Sequence, residues 1–249
     1  MPRLTDDAVV LRRFDWSETS QIVWLFTRAH GLLRGVAKGA KRPKSAFDGG
    51  LEPLTRGEVG AIVKPDADLA TLTSWDLRVV CWAARSSLEA NRAALFSVGL
   101  LASIVSDHDP HPPIFDGLVG FLDALDEGDD PWGGAARFQW TALVDTGHAP
   151  QLEQVDALAD AGDVMGFDPH AGAFTPDPGA HAHALWRVRS TTAAAVAALA
   201  GGETPAPGEP AGRVNRFLLS YWSWVLGREP RVARLLTPDL STAPEPHKG

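Results

Sequence analysis

Residues 8–39 read AVVLRRFDWSETSQIVWLFTRAHGLLRGVAKG, and the architecture of the first third of the chain follows from them. "AVVLRRF" (8–14) and "SQIVWLFT" (20–27) are short runs rich in β-branched and aromatic residues, parted by the polar "DWSET", so each predicts a strand. "RAHG" supplies a turn ending at Gly31, and "LLRGVAKG" predicts a third strand. Glycine inside a strand marks a bulge or a close backbone approach. Farther on, "RGEVGAIVK" (56–64) and "LATLTSWDL" (69–77) predict two more strands, separated by the Pro/Asp turn "PDAD". Five short strands, most of them with no helical pattern between, predict a small barrel. A five-stranded OB-fold is the first candidate and an SH3-like barrel the second.

After Asp76 the texture changes. "VVCWAARSSLEANRAALFSVGLLASIV" (79–105) carries apolar residues at helical spacing and predicts two helices broken near Asn91. "IFDGLVGFLDALDEG" (114–128) and "GGAARFQWTALVDTG" (133–147) predict two more, the second stopped by Gly147. Residues 148–189 are rich in Pro, Gly, Asp and His and show little periodicity, so a long loop or a small insert is expected there. "STTAAAVAAL" (190–199) predicts an alanine-rich helix behind Ser/Thr caps, "GGETPAPGEPAG" a flexible break, and "RVNRFLLSYWSWVLG" (213–227) the most strongly patterned helix of the chain. The fold class expected is therefore α+β multidomain: an N-terminal OB-fold barrel over 1–78, then an all-α helical domain over 79–240 with an irregular insert at 148–189, and a flexible tail at 241–249.

The formal net charge of the 249 residues is −8, yet its distribution is uneven. Residues 1–78 hold 12 basic and 10 acidic side chains, and the rest of the chain 11 basic and 21 acidic. Within Thr19–Phe47 there are six basic residues and no acid. An acidic chain that keeps one segment free of carboxylates predicts a local anion-binding surface. Arg34, Lys38, Lys41, Arg42 and Lys44 fall on the third strand and the loop after it, interleaved with glycines. Trp16, Trp24, Phe26 and Phe47 lie nearby as candidate stacking faces for bases, although Trp24 and Phe26 share one strand face and read better as barrel core.

Other chemistry finds little support. There is no G-x-S-x-G elbow and no G-x-x-x-x-G-K-[ST] phosphate loop. Cys81, the single cysteine, sits in an apolar pattern and reads as a core residue. The histidines at 107–111 and at 181–183, with His170, lack the paired spacing of zinc ligands. No run of about 18 apolar residues is present, and the N-terminus lacks the apolar core of a signal peptide. A cytoplasmic, non-enzymatic protein is expected, with no cofactor.

The stretch DWSETSQIVWLFTRAHGLLRGVAKGAKRPKS closely resembles the N-terminal region of the RecO family of bacterial DNA repair and recombination mediators, and "LEPLTRGEV" continues the match. "FQWTALVDTGHAP" is similar to that family's helix ending in a G-Y-A-P-like turn, and "RFLLSYWSWVLGREPRVARLL" resembles its last helix. The resemblance implies an OB-fold followed by a helical domain, binding of single- and double-stranded DNA, and annealing of complementary strands. It also implies help in loading RecA onto DNA coated by single-strand-binding protein. The implied partners are RecR and the acidic C-terminal tail of that coating protein. Arg34, Lys38, Lys41, Arg42 and Lys44 match the family's basic positions, and Arg12 and Arg13 are further candidates. Many family members carry a four-cysteine zinc site after the G-Y-A-P turn; here Val155 and Leu158 stand where its first pair would, so no zinc is expected unless His170, His181 and His183 supply ligands. The alternative function is a protein-interaction adaptor whose barrel binds a partner and not DNA. A metal-dependent hydrolase built on the His-rich insert is a third reading.

Overall fold

The computed structural model describes residues 3–42, 44–47, 50–64, 67–179 and 184–236. The chain forms two compact units, Met1–Gly128 and Asp129–Gly249.

In the first unit, strands β1 (Arg3–Asp15), β2 (Gln21–Thr27), β3 (Gly31–Ala37), β4 (Thr55–Ile62) and β5 (Ala70–Val80) close into a barrel in the order β1-β2-β3-β5-β4, with β4 returning to β1. All seams are antiparallel except a three-residue parallel one between β3 and β5. Alternation fills the interior: Val23 and Leu25 of β2, Leu33 and Ala37 of β3, Val59 and Ala61 of β4, and Leu72 and Trp75 of β5 pack there with Ala8 and Val10. Phe47 and Leu51, from the segment between β3 and β4, join the same core.

One irregularity in β1 re-aims its second half. Val10 pairs with Leu25, but Arg12 pairs with Trp24, so Leu11 is the extra residue of a bulge. Leu25 and Trp24 are successive residues on opposite faces of β2. Only an inserted residue lets Val10 point inward and Arg12 point outward.

Three helices complete this unit: α1 (Ala83–Ser86), α2 (Leu88–Ile104) and α3 (Pro112–Glu127). The break between the first two falls at Ser87, whose hydroxyl caps α2 by accepting from the Ala90 N–H, and not near Asn91. Prolines open α3, and Gly128 at φ +94° closes it in the left-handed conformation. The ring of Phe115 on α3 covers Phe26 of β2 with centroids 6.0 Å apart. Arg28 clamps Asp116 through two hydrogen bonds of 2.8 and 2.9 Å, and Arg56 reaches Asp123 at 3.0 Å. Cys81 is buried just before α1, its thiol 3.7 Å from the Leu122 carbonyl, and burial pushes that thiol up. It is a core residue, as its pattern predicts, though it precedes the helix.

The second unit holds α4 (Pro131–Asp145), α5 (Val155–Ala161), β6 (Val164–Asp168), β7 (Ala173–Thr175), β8 (Trp186–Arg189), α6 (Ser190–Ala200), α7 (Glu209–Val225) and a short 3-10 turn over Arg231–Leu235. Asn215 of α7 is fully buried. It accepts from Gln139 of α4 at 2.8 Å and donates to the Trp132 and Ala211 carbonyls, so both of its polar ends are met. The apolar stripe of α7 buries Phe217, Leu218, Tyr221 and Trp222, leaving Trp224 partly exposed.

The fold class expected from sequence needs correcting here. The second unit is not an all-α domain with an irregular insert, because residues 148–189 contain α5 and a three-stranded antiparallel sheet in the order β7-β6-β8. Nor does the OB-fold expected over 1–78 stand: the five strands form a mixed sheet that shares one compact unit, Met1–Gly128, with α1, α2 and α3. The supposed flexible break also ends early, since α7 starts at Glu209. The expected tail at 241–249, with His181 and His183, lies outside the described residues.

Candidate nucleic-acid interface

The outer faces of β1, β2 and β3 form one surface with two ends. At one end Phe26 lies under α3. At the other, Arg12, Trp24 and Arg34 stand in a cross-strand row, because Arg12 pairs with Trp24 and Trp24 with Arg34. The two guanidinium carbons lie 5.2 and 5.5 Å from the Trp24 ring centroid, within cation–π range. The next row is apolar: Phe14, Ile22 and Val36. Phe14 is 47% exposed and meets Trp24 edge-on at 6.1 Å. Beyond it, Trp16 is 65% exposed, and Lys38 continues the outward side of β3 after Arg34 and Val36.

Two loops are tied together at this end. The Ser17 hydroxyl accepts from the N–H groups of Thr19 and Ser20 at 3.4 and 3.1 Å, which folds the W-S-E-T-S turn on itself. The Lys41 N–H then donates to the Thr19 carbonyl at 3.1 Å, and Lys41 Nζ reaches Asp15 at 2.9 Å. That ammonium, with Gln21 behind it, holds the Asp15 carboxyl below the usual carboxylate range. Arg42 folds back over Gly39, whose φ of +73° makes the tight turn possible. Lys44 adopts φ +62°, a conformation a lysine seldom takes.

Six of the seven predicted basic residues therefore belong to the outer face of β1–β3 and its adjoining loop: Arg12, Arg34, Lys38, Lys41, Arg42 and Lys44. Lys38, Lys41, Arg42 and Lys44 are exposed. Arg13 does not join them. It pairs with Val23, a core residue, so it lies on the opposite face from Arg12, and it is bound to Glu52. Arg34 is bound to Asp107, in the segment between α2 and α3. Among the described residues, Lys38, Arg42 and Lys44 make no ion pair.

The aromatic candidates separate. Phe26 and Phe47 are buried, and Trp24 is not barrel core, since its neighbours Val23 and Leu25 fill that role. Trp16 remains open, and Phe14 joins it although the sequence did not single it out. Its signal is hidden by the bulge, which shifts which residues of β1 face outward.

No metal site accompanies this surface: among the described residues, no group of three or more His, Cys, Asp or Glu side chains is placed to hold an ion. Val155 is buried at the start of α5, and His170 packs against Trp224 with ring centroids 5.0 Å apart. The small sheet is held by rings, with Phe167 4.9–5.5 Å from Phe174, Trp186, Phe217 and Tyr221.

The family model for the N terminal of recombination protein O matches residues 1–79, and that for its C terminal matches residues 85–234. The chain belongs to the RecO family. The DNA repair protein RecO of Myxococcus xanthus (strain DK1622) is 32% identical over 237 residues, covering 92% of this chain and 94% of that protein. RecO of Anaeromyxobacter dehalogenans (strain 2CP-C) is 32% identical over 248 residues, covering 95% and 96%. RecO of Anaeromyxobacter sp. (strain Fw109-5) is 30% identical over 247 residues, covering 94% and 95%. Among the described residues no helix is long and apolar enough to cross a membrane.

Proposed function

We propose that this chain is a DNA-binding recombination mediator that grips nucleic acid on the outer face of β1, β2 and β3. Its membership of the RecO family makes it a DNA-repair mediator and not an enzyme. The observation that carries the reading is the cross-strand row Arg12, Trp24 and Arg34 on one face of the barrel, with the exposed rings of Phe14 and Trp16 beyond it and an adjoining loop that carries Lys38, Lys41, Arg42 and Lys44. Cations contact the phosphates and rings accept unstacked bases, which is how single strands are held without reading sequence. Duplex DNA can use the same cations without the rings.

Annealing follows if two strands are brought close while their repulsion is neutralised on this surface. Loading of RecA onto DNA coated by single-strand-binding protein, with RecR and the acidic tail of the coating protein as partners, completes the proposed role. Family resemblance supports these last steps.

The test is fluorescence anisotropy of a labelled oligonucleotide. The Lys38→Ala/Lys41→Ala/Arg42→Ala variant binds more weakly than the natural chain. Its log–log salt slope is shallower by up to about 2, because each cation removed from a phosphate takes away at most about 0.7. Binding that is unchanged in the variant removes the proposed site. No binding by the natural chain would favour the adaptor alternative.

A further inference from the structure

We propose that Asp107 is a built-in competitor for the phosphate that Arg34 would bind, so that this carboxylate sets both the affinity of the surface for single-stranded DNA and its sensitivity to salt. The inference rests on the reading of the β1–β3 face as a DNA site and adds a residue that opposes binding.

Asp107 is fixed by backbone, not by its charge. It forms a parallel bridge with Leu32 at the start of β3, and the His108 N–H donates to the Leu32 carbonyl at 3.2 Å. The backbone of the same segment presses on Gly31 so closely that a Cβ there would sit 2.2 Å from the Asp109 carbonyl oxygen. The segment is thus docked on the barrel, and it sets the Asp107 carboxylate beside the guanidinium of Arg34. That guanidinium is also oriented by the Trp24 ring. Both partners stay accessible, with 40% of the Arg34 side chain and 32% of the Asp107 side chain exposed. An incoming phosphate can therefore reach the same arginine. Asp15 stands to Lys41 in the same relation, at 2.9 Å and likewise solvent-exposed.

The consequence is thermodynamic. A phosphate that meets a free cation releases the counterions condensed on the strand, and this release drives binding at low salt. A phosphate that meets Arg34 leaves the Asp107 carboxylate unpaired, and that carboxylate recruits a cation from solution. Uptake offsets release, so the contact adds less affinity and a smaller share of the salt slope.

The experiment compares Asp107→Asn and Asp15→Asn with the natural chain in anisotropy titrations against a labelled single strand at several salt concentrations. Asp116→Asn serves as control, because it makes the same change of charge at the Arg28 pair, away from the proposed surface. Each of the first two variants should bind about two- to tenfold more tightly at low salt, with a slope steeper by up to about 0.7. The control should leave both unchanged. Equal gains in all three variants would mean a general charge effect and overturn the proposal. So would unchanged or weaker binding by Asp107→Asn, which would make the carboxylate a support for Arg34. If that variant does not fold, as judged by its thermal transition, Asp15→Asn decides alone: a gain supports the proposal and its absence overturns it. Failure of the natural chain to bind any strand would instead remove the DNA-site reading, and this inference with it.

Discussion

Trp16 and Phe14 differ from every other aromatic side chain near the basic surface in being open to solvent on a strand end and a tied loop. An exposed ring that stacks a base is worth roughly 1–3 kcal/mol. Trp16→Ala should therefore weaken single-strand binding by tenfold or more while leaving the salt slope unchanged, since the ring neutralises no phosphate. Phe14→Ala should act in the same direction. Anisotropy at fixed salt, followed by a salt series, checks both halves. The lysine and arginine variants should show the complementary pattern, with a changed slope.

The Arg28–Asp116 pair gives a pH prediction away from the proposed DNA surface. The Arg28 guanidinium holds the Asp116 carboxyl below its ordinary value of 3.8. A depressed carboxylate contributes stability that is present above the ordinary value and is lost as pH falls through the lowered one. The stability difference between the natural chain and Asp116→Asn should thus be constant from pH 7 to pH 5 and shrink only below about pH 4. Because both side chains are about half exposed, the difference is small throughout. Chemical denaturation at several pH values measures it.

Among the elements, β1 shows how far the sequence could be read. The apolar runs announced five strands, and the five strands are present. The outward side of β1 was not legible, because the bulge at Leu11 reverses the alternation. Arg12 and Arg13 look equivalent in sequence, and the bulge sends one to Trp24 and the other toward Glu52. The outer side of β2 was ambiguous for a different reason: Ile22, Trp24 and Phe26 are as apolar as the inward residues Val23 and Leu25. Which face is core depends on α3, a distant element that covers Phe26 and leaves Trp24 uncovered. Residues 148–189 escaped for a third reason. The strands there are three to five residues long, too short to show a period, and they depend on rings from α7 for their packing.

Two substitutions test these elements. Gly31 is at φ +70° and faces the Asp109 backbone, which cannot yield as a flexible side chain can. Gly31→Ala should lower stability by more than about 1 kcal/mol, seen as a fall of a few degrees in the first thermal transition, and should loosen the segment that carries Asp107. Phe167 is fully buried at the centre of the aromatic cluster of the small sheet. Phe167→Ala should remove about 3–5 kcal/mol from the second unit. Differential scanning calorimetry distinguishes the two, since each substitution should move the transition of its own unit.

For the molecule as a whole, an acidic chain is expected to bind a polyanion through a cationic corner that its net charge of −8 conceals. The basic segment was legible from charge bookkeeping. Its internal compensation was not, because Asp15 and Asp107 lie outside the acid-free stretch and reach it only through the β1–β2 turn and the α2–α3 connection. Six cations define the upper limit of the electrostatic response, and two of them carry carboxylates.

A salt titration of the natural chain against a labelled single strand tests the DNA site most directly. The logarithm of the association constant should fall linearly with the logarithm of salt concentration, with a slope between about −3 and −4. A slope near zero, or no binding at low salt, would contradict it.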